Sequence, residues 1–374
     1  PYKIKEFRED RYVELERNQD WWGFTKNWNR GKYNFEKIKF RFMEDQTKVL
    51  EAFKKQNFDA YALYTSAIWM KQTDFDAVQK GYVVKQKIYN KEPIGFQGMA
   101  FNLRKEKFQD VRVRKALSML MNREMMNEKY MYNQYFLLNS YYPDLWENNK
   151  NPSAPEFAYA PDSARKLLSE AGFVPDAEGM LSKNGQPFEI TFITSSSEMR
   201  HLTLYQEDLK KAGIRVNIEQ MSQSTLRKRL DEADFDMYWV NWGAGRLRDP
   251  EASWHSATAN AKGTNNLSGL QDAVVDSLIN LQKTEFNLEK RNEILRSLDH
   301  RLTELVPYVL MWQADHHRML YWNRFGTPEK VFDKFGREES IPVYWFYDAK
   351  KASALNKAIK EGKTLPLEPK EVRQ

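Results

Sequence analysis

The 374-residue sequence contains no cysteine and only five histidines. The absence of cysteine excludes a disulfide framework, a thiolate metal site and a cysteine nucleophile. The closest histidines stand in Asp315-His316-His317. Adjacent residues of a strand point to opposite faces, and no partner follows at metal-ligand spacing. We therefore expect neither a bound metal ion nor a cofactor.

Sequence signatures of catalysis and of membrane insertion are also missing. Gly243-Ala244-Gly245 lacks the third glycine of a dinucleotide-binding loop, and no Gly-x-Ser-x-Gly nucleophile elbow occurs. The 52 acidic residues single out no pair for glycoside hydrolysis. We therefore expect a protein that is not an enzyme.

No apolar run approaches the roughly 18 residues that a membrane helix needs.

The charged residues are nearly balanced, with 58 basic against 52 acidic side chains and a net charge of +6. Nucleic-acid-binding proteins concentrate Lys and Arg on one face or in one run. Here even the basic run Arg227–Arg229 is followed by Asp231 and Glu232, so we expect no nucleic-acid partner. Aromatic residues are abundant at 14%, which fits a large core and also fits a cleft lined by aromatic rings.

Two stretches of the chain alternate between strand and helix patterns. Residues 38–42 alternate apolar and charged side chains, and Thr47–Lys55 follows with apolar residues at helical spacing. A second alternation runs from residue 188 to residue 242, with a helix capped at Ser195–Ser197 that ends near Lys211. The length and this order of elements predict an α/β fold with two or more domains.

A helix is predicted to begin after Asp110, whose carboxylate can accept the unpaired amide hydrogens of the first turn. Its apolar face consists of residues at i, i+3, i+4, i+7 and i+8, namely Val113, Ala116, Leu117, Leu120 and Met121. Arg112 and Arg114 stand in the first turn, where the positive end of the helix dipole disfavours cations. We therefore expect both arginines to pair with carboxylates in the folded protein.

The segment Phe108–Leu117, followed by Met121-Asn122-Arg123-Glu124, resembles the family 5 extracellular solute-binding proteins. These proteins are the oligopeptide, dipeptide and nickel receptors of ABC importers. The resemblance extends over almost the whole chain, through residues 1–21, 50–59, 164–173, 209–216 and 235–237. Three further segments are most similar to the Yej-type branch, which is linked with peptides and peptide antibiotics such as microcin C: residues 139–142, 324–326 and 345–348.

The resemblance implies an α/β, two-lobed fold of the periplasmic binding protein type (type II, large cluster C), with mixed sheets flanked by helices. Lobe two would comprise residues 96–311. Residues 1–95 and 312–374 would be the remainder of lobe one. A signal peptide and much of lobe one are then expected upstream of the visible chain.

The resemblance also implies a function. The protein would be the periplasmic or extracellular component of an ABC transporter, which traps a peptide or peptide-like ligand between two lobes by hinge closure and delivers it to the membrane permease subunits. Two alternatives stay open from the residues themselves. One is a carbohydrate-binding or glycoside-cleaving protein with an aromatic-lined cleft, and the other is a scaffold protein whose cleft is unused.

The ligand-binding wall of lobe two is expected at and after the strand that ends in Trp242. In peptide-binding members an aspartate often follows this tryptophan, but Gly245 occupies that position here, and Asp249 comes four residues later. The resemblance therefore assigns the wall to seven residues: Asn241, Trp242, Arg246, Asp249, Trp254, Tyr141 and Tyr142. The alternative is that Trp242 and Trp254 are core residues.

Overall fold

The computed structural model describes residues 1–43, 45–196 and 199–374, and the chain divides into two compact units. Unit 1 consists of Pro1–Glu92 and Asp315–Gln374, and unit 2 is the continuous segment Pro93–Ala314. The boundaries expected from the sequence, at 95/96 and 311/312, each lie three residues from these crossings.

In the first segment of unit 1, the described residues form five strands and three helices. They are β1 (Tyr2–Arg8), β2 (Tyr12–Arg17), β3 (Lys37–Arg41), α1 (Gln46–Lys54), β4 (Ala60–Ala62), α2 (Ser66–Gln72), α3 (Asp76–Gln79) and β5 (Val83–Tyr89). Short 3-10 turns span Trp22–Thr25 and Asn27–Asn29. The helix predicted over Thr47–Lys55 is confirmed as α1, because Asp45 caps it and Leu50 and Phe53 are fully buried.

Unit 2 follows with alternating strands and helices. They are β6 (Phe96–Phe101), α4 (Val111–Met119), α5 (Arg123–Met131), β7 (Phe136–Leu137), α6 (Pro161–Glu170), β8 (Val174–Pro175), β9 (Leu181–Lys183), β10 (Gln186–Pro187), β11 (Glu189–Thr194), α7 (Arg200–Lys211), β12 (Arg215–Gln220), α8 (Gln223–Asp231), β13 (Met237–Trp242), α9 (Glu251–Trp254), α10 (Ala273–Thr284), α11 (Leu288–Leu305), β14 (Tyr308–Leu310) and β15 (Trp312–Gln313). Its 3-10 turns span Glu106–Phe108, Pro143–Leu145, Glu147–Asn149 and Ser256–Thr258.

The second segment completes unit 1. Its elements are β16 (His317–Trp322), β17 (Phe325–Gly326), α12 (Ile341–Tyr344), β18 (Phe346–Tyr347), α13 (Ala349–Glu361) and β19 (Glu371–Arg373), with a 3-10 turn at Glu338–Ser340. The main sheet of unit 1 has the order β19-β5-β16-β4 and mixes parallel and antiparallel pairs. Alternate residues of β16 enter different cores, with Leu320 and Trp322 on one side and Met319 and Tyr321 on the other.

The main sheet of unit 2 has the order β12-β11-β13-β6-β14. The strand β11 is parallel to β12 and β13, whereas β6 is antiparallel to β13 and β14. Gly98 permits the close approach of β6 to β14, because a Cβ atom there would lie 2.6 Å from the Val309 carbonyl oxygen. This mixed sheet flanked by helices confirms the predicted α/β class.

The sheet of unit 2 separates two hydrophobic cores. Met99 and Phe101 of β6 pack in one, together with Leu117 of α4, and we name it the α4 core. The alternate residues Phe96 and Ala100 point the other way and pack in the α11 core, which takes its name from the helix carrying Leu295, Leu298 and Leu302.

The helix predicted after Asp110 is confirmed as α4. Asp110 accepts the Arg112 amide hydrogen at 2.9 Å, and all five apolar-face residues are at most 1% exposed. Arg112 pairs with a carboxylate as expected, its Nη2 atom lying 2.7 Å from an Asp110 oxygen. The same expectation is wrong for Arg114, whose guanidinium donates to the carbonyl oxygens of Phe108, Gln109, Leu305 and Val306.

The predicted cap at Ser195–Ser197 lies partly outside the described residues, and α7 follows Met199 without a side-chain cap. Within residues 1–43, 45–196 and 199–374, we find no helix with both the length and the apolar character needed to cross a membrane.

Candidate ligand-binding site

Side chains become accessible toward the end of β13. Met237, at the start of this strand, is fully buried, whereas Asn241 is exposed and Trp242 is half-buried. Trp242 pairs with Phe96 across the antiparallel ladder. Gly95 allows the chain to pass close by, because a Cβ atom at Gly95 would lie 1.8 Å from the Trp242 carbonyl oxygen. Residues 243–250 then form a loop.

Four of the seven predicted wall residues are accessible at this end. Asn241, Arg246 and Asp249 are exposed, and Trp242 is half-buried. The indole Nε1 of Trp242 donates to the Tyr308 hydroxyl at 3.4 Å, which orients the ring. One oxygen of Asp249 accepts the Glu251 amide hydrogen at 3.1 Å, so the carboxylate is held where α9 begins.

The other three predicted wall residues lie beneath the surface. Tyr141 and Trp254 are each 2% exposed, and Tyr142 is 8% exposed, all within the α11 core. The indole of Trp254 donates to the Tyr142 hydroxyl at 3.2 Å and stacks on Phe96 at 5.9 Å. These side chains therefore support the strand end from below. Trp254 is a core residue, as the alternative had it, whereas Trp242 is half-buried and packs against the edge of the α11 core.

Asp299, which the sequence analysis missed, holds the backbone at Tyr141. Its fully buried carboxylate accepts hydrogen bonds from the Tyr141 amide, the Ser140 hydroxyl and the Trp146 indole at 2.7 Å, and from the Asn151 side chain at 2.9 Å. Burial raises the pKa of Asp299, although these four hydrogen bonds act in the opposite direction. Its position between Leu295, Leu298 and Leu302 on the apolar stripe of α11 was the available signal.

The loop after β13 is anchored at Arg248, a second residue that the sequence analysis missed. Its side chain is 8% exposed and forms an ion pair with Asp144. Its carbonyl oxygen accepts from the Arg291 guanidinium at 2.9 Å. In contrast, Leu247 beside it is 69% exposed. The loop is therefore anchored by Arg248, whereas its neighbours Arg246, Leu247 and Asp249 are exposed.

This arrangement combines three kinds of recognition chemistry on one unit. Trp242 supplies a flat apolar ring, Arg246 and Asp249 supply opposite charges, and Asn241 supplies amide donors and acceptors. Such a mixture suits a small ligand that carries both polar and apolar groups. Over the described ranges, no three or more His, Cys, Asp or Glu residues are grouped so that they could hold a metal ion.

Comparison with known proteins places this chain in a family. The family model described as bacterial extracellular solute-binding proteins, family 5 Middle, matches residues 1–265. The Escherichia coli (strain K12) protein YejA, named as uncharacterized, is 28% identical over 97% of this chain and 65% of its own length. The probable peptide-binding protein YejA of Agrobacterium fabrum is 29% identical over 88% of this chain and 60% of its own length. These relatives confirm the similarity to the Yej-type branch.

Solved structures show the same fold. The oligopeptide-binding protein AppA from Bacillus subtilis, in complex with a nonapeptide, superposes with a TM-score of 0.75 at 20% identity, covering 93% of this chain and 66% of AppA. DppA from Helicobacter pylori, in complex with the peptide STSA, gives a TM-score of 0.72 at 19% identity, covering 93% and 62%. This chain thus spans less than two thirds of the length of these proteins. It belongs to the family 5 bacterial extracellular solute-binding proteins.

Proposed function

We propose that the complete protein is the extracytoplasmic binding component of an ABC importer and that it captures peptides or peptide-like solutes. Family membership supports the general role. The peptide assignment is supported by the name of the Agrobacterium relative and by the peptides bound in AppA and DppA. The observation in this chain that carries the proposal is the accessible group at the end of β13, formed by Asn241, Trp242, Arg246 and Asp249.

We assign unit 2 to lobe two, residues 96–311 in the sequence-based division, and unit 1 to the remainder of lobe one. Ligand capture would then proceed by hinge closure of the lobes, in the periplasm or at the cell surface, with release to the permease subunits. The protein would release the ligand chemically unchanged. The carbohydrate-cleaving alternative is not favoured, because the matching relatives are solute-binding proteins.

The accessible residues can make different kinds of contact with a ligand. The indole of Trp242 can cover an apolar side chain of the ligand, and its Nε1 contact with Tyr308 limits ring rotation. Arg246 can contact a carboxylate, and Asp249 can contact an amine, with Asp249 pre-oriented by the Glu251 amide. The aromatic residues beneath keep the strand end rigid, which reduces the entropy that binding costs.

Ligand content is the first test of the proposal. Native mass spectrometry of the complete protein after mild purification should detect co-purified peptide, and incubation with that peptide should yield no cleavage product. Turnover of an oligosaccharide by the same preparation would instead support the carbohydrate alternative.

The site itself is tested by calorimetric titration of variants with the peptide so identified. Trp242→Ala and Asp249→Ala should each weaken binding by about 30-fold, the equivalent of roughly 2 kcal/mol expected for a central contact. Matched controls are Phe286→Ala, which removes a ring that is 96% exposed, and Asp162→Ala, which removes an acid that is 97% exposed. Unchanged affinity in both site variants would contradict the assignment.

A further inference from the structure

A small cavity lies inside unit 2, beside β14 at the edge of the main sheet. Its volume is about 20 Å³, which is room for one water molecule or one monatomic ion but not for a polyatomic group. Ser118 of α4, Arg123 of α5, Thr303 of α11 and Tyr308 of β14 are among its lining residues. None of the described residues that line it belongs to the accessible group at the end of β13. The cavity is therefore a separate site within the same unit.

Arg123 lines this cavity with a buried guanidinium, because the residue is only 7% exposed. Its Nη1 atom donates to the carbonyl oxygens of Leu138 at 2.7 Å and Leu310 at 2.8 Å, and its Nη2 atom donates to that of Phe157 at 3.3 Å. The Nε atom is buried as well and donates to no atom of residues 1–43, 45–196 or 199–374. A charged hydrogen-bond donor in the wall of the cavity is therefore left unused by the described chain.

The positive charge of Arg123 has only backbone carbonyl oxygens as hydrogen-bond acceptors among the described residues. The two carboxylates that influence it through space, those of Glu124 and Glu156, are exposed to solvent, and Glu156 is paired with Lys150. Burial accordingly lowers the pKa of Arg123. A buried charge is costly unless an opposite charge accompanies it. The cavity beside this guanidinium therefore favours an anion over a neutral molecule.

Two lining residues carry hydroxyl groups that can turn toward the cavity. Ser118 Oγ donates to the Arg114 carbonyl oxygen at 2.9 Å, and Thr303 Oγ1 donates to that of His300 at 2.7 Å. Each of these carbonyl groups lies inside a helix, where it also accepts an amide hydrogen of its own helix. Both hydroxyl groups can therefore rotate and donate into the cavity without leaving a carbonyl oxygen unpaired.

We propose that this cavity binds one monovalent halide ion, with chloride as the natural ligand. Arg123 supplies the opposite charge and the Nε hydrogen, and Ser118 and Thr303 supply hydroxyl hydrogens. The volume excludes carboxylate, phosphate and sulfate groups, since each contains several heavy atoms. A water molecule would fit, but it would leave the buried charge of Arg123 uncompensated. This site is independent of the proposed peptide-binding function.

An ion bound in this cavity would stabilise the folded protein. Its ligands come from α4, α5 and α11, and Thr303 is far from Ser118 in the sequence, so the site exists only in the folded chain. A ligand that binds only the folded state raises stability with its concentration. Pro155 and Phe157, which also line the cavity, are half-buried and lie close to solvent. An ion can therefore exchange with the solution through this part of the wall.

Thermal unfolding of the 374-residue chain tests the proposal in solution. Replacing sodium gluconate, whose anion is too large for the cavity, by sodium chloride at constant ionic strength should raise the melting temperature by about 3 °C or more and then saturate. Ser118→Ala removes one donor, so the chloride concentration at half effect should rise roughly tenfold. Ser297→Ala is the matched control, because this exposed hydroxyl also donates to a carbonyl oxygen of its own helix, that of Glu293. It should leave the half-effect concentration unchanged.

Crystals grown with sodium bromide in place of chloride locate the ion directly. An anomalous difference peak is expected beside Arg123 Nε, between the Ser118 and Thr303 hydroxyl groups. Density at this place without an anomalous signal would identify a water molecule and overturn the proposal. Equal melting temperatures in gluconate and chloride would overturn it too. A chloride effect that Ser118→Ala leaves unchanged would have the same consequence, because the ion would then act elsewhere.

Discussion

A single buried carboxylate positions the aromatic support of the candidate site. All four partners of Asp299 are neutral donors, and three of them belong to the segment Ser140–Trp146. A buried acceptor that satisfies four donors fixes the path of a loop more firmly than apolar packing does, because every alternative path would leave a donor unpaired. We therefore attribute the position of Tyr141 and Tyr142 to Asp299.

Asp299→Asn should destabilise the protein by roughly 1–3 kcal/mol, because the amide group would face at least one buried donor that it cannot accept. The effect should depend on pH. The pKa of Asp299 is raised in the folded state, so its stabilising contribution is complete below the ordinary value of about 3.9 and is lost as pH rises through the raised pKa. The advantage of the native protein over the variant should therefore shrink from acid to neutral pH.

Urea unfolding of both proteins across this pH range measures that difference. Glu293→Gln, an exposed change on the same helix, is the control and should show no such trend. A difference between native protein and Asp299→Asn that grows with pH would contradict the direction of the shift.

At the scale of elements, two arginines of the motif that carries the family resemblance, Arg114 and Arg123, bind segments that are distant in the sequence. Arg114 of α4 binds the last carbonyl oxygens of α11, where the helix dipole favours a cation, and burial lowers the pKa of this guanidinium to about 10. Arg123 of α5 similarly donates to the Leu138 and Leu310 carbonyl oxygens. Both arginines thus tie the α4–α5 region to chain nearly two hundred residues away.

Arg114→Met should lower the free energy of unfolding by at least about 1–3 kcal/mol, since several buried carbonyl oxygens would lose their donor. Arg112→Met is the matched control, two residues away on the same helix. Its side chain is 45% exposed and pairs with Asp110, and such pairs contribute about 0–1 kcal/mol. Urea denaturation measures both changes. Equal losses in the two variants would mean that the buried carbonyl contacts of Arg114 carry no special weight.

The difference between local and distant causes also explains what the sequence could predict. The helices α1 and α4 were predictable because a capping aspartate and an apolar stripe lie within one short segment. Trp242 and Asp249 could be located from the strand pattern and the resemblance. The burial of Tyr141 could not, because its backbone amide is held by Asp299, which is 158 residues away in the sequence. The carbonyl partners of Arg114 were missed for the same reason.

For the whole molecule, the two units differ in how their segments are arranged along the sequence. Both hydrophobic cores of unit 2 are formed entirely within the continuous segment 93–314. Unit 1 is discontinuous, because β5 lies before the crossing while its neighbours β16 and β19 lie after it. Unit 2 is therefore a continuous segment with its own cores, as expected of an independently folding domain whose sequence is inserted between the two segments of unit 1.

Residues 93–314 expressed alone should fold, with one cooperative unfolding transition and a near-ultraviolet circular dichroism signal from its packed aromatic rings. Residues 1–92 alone are the matched control. They should stay unfolded, because β5 would lose both neighbouring strands and the core residues Leu320, Trp322 and Leu355 would be missing. Far-ultraviolet signal without a cooperative transition in 93–314 would indicate a molten state and would mean that its two cores require unit 1 to pack.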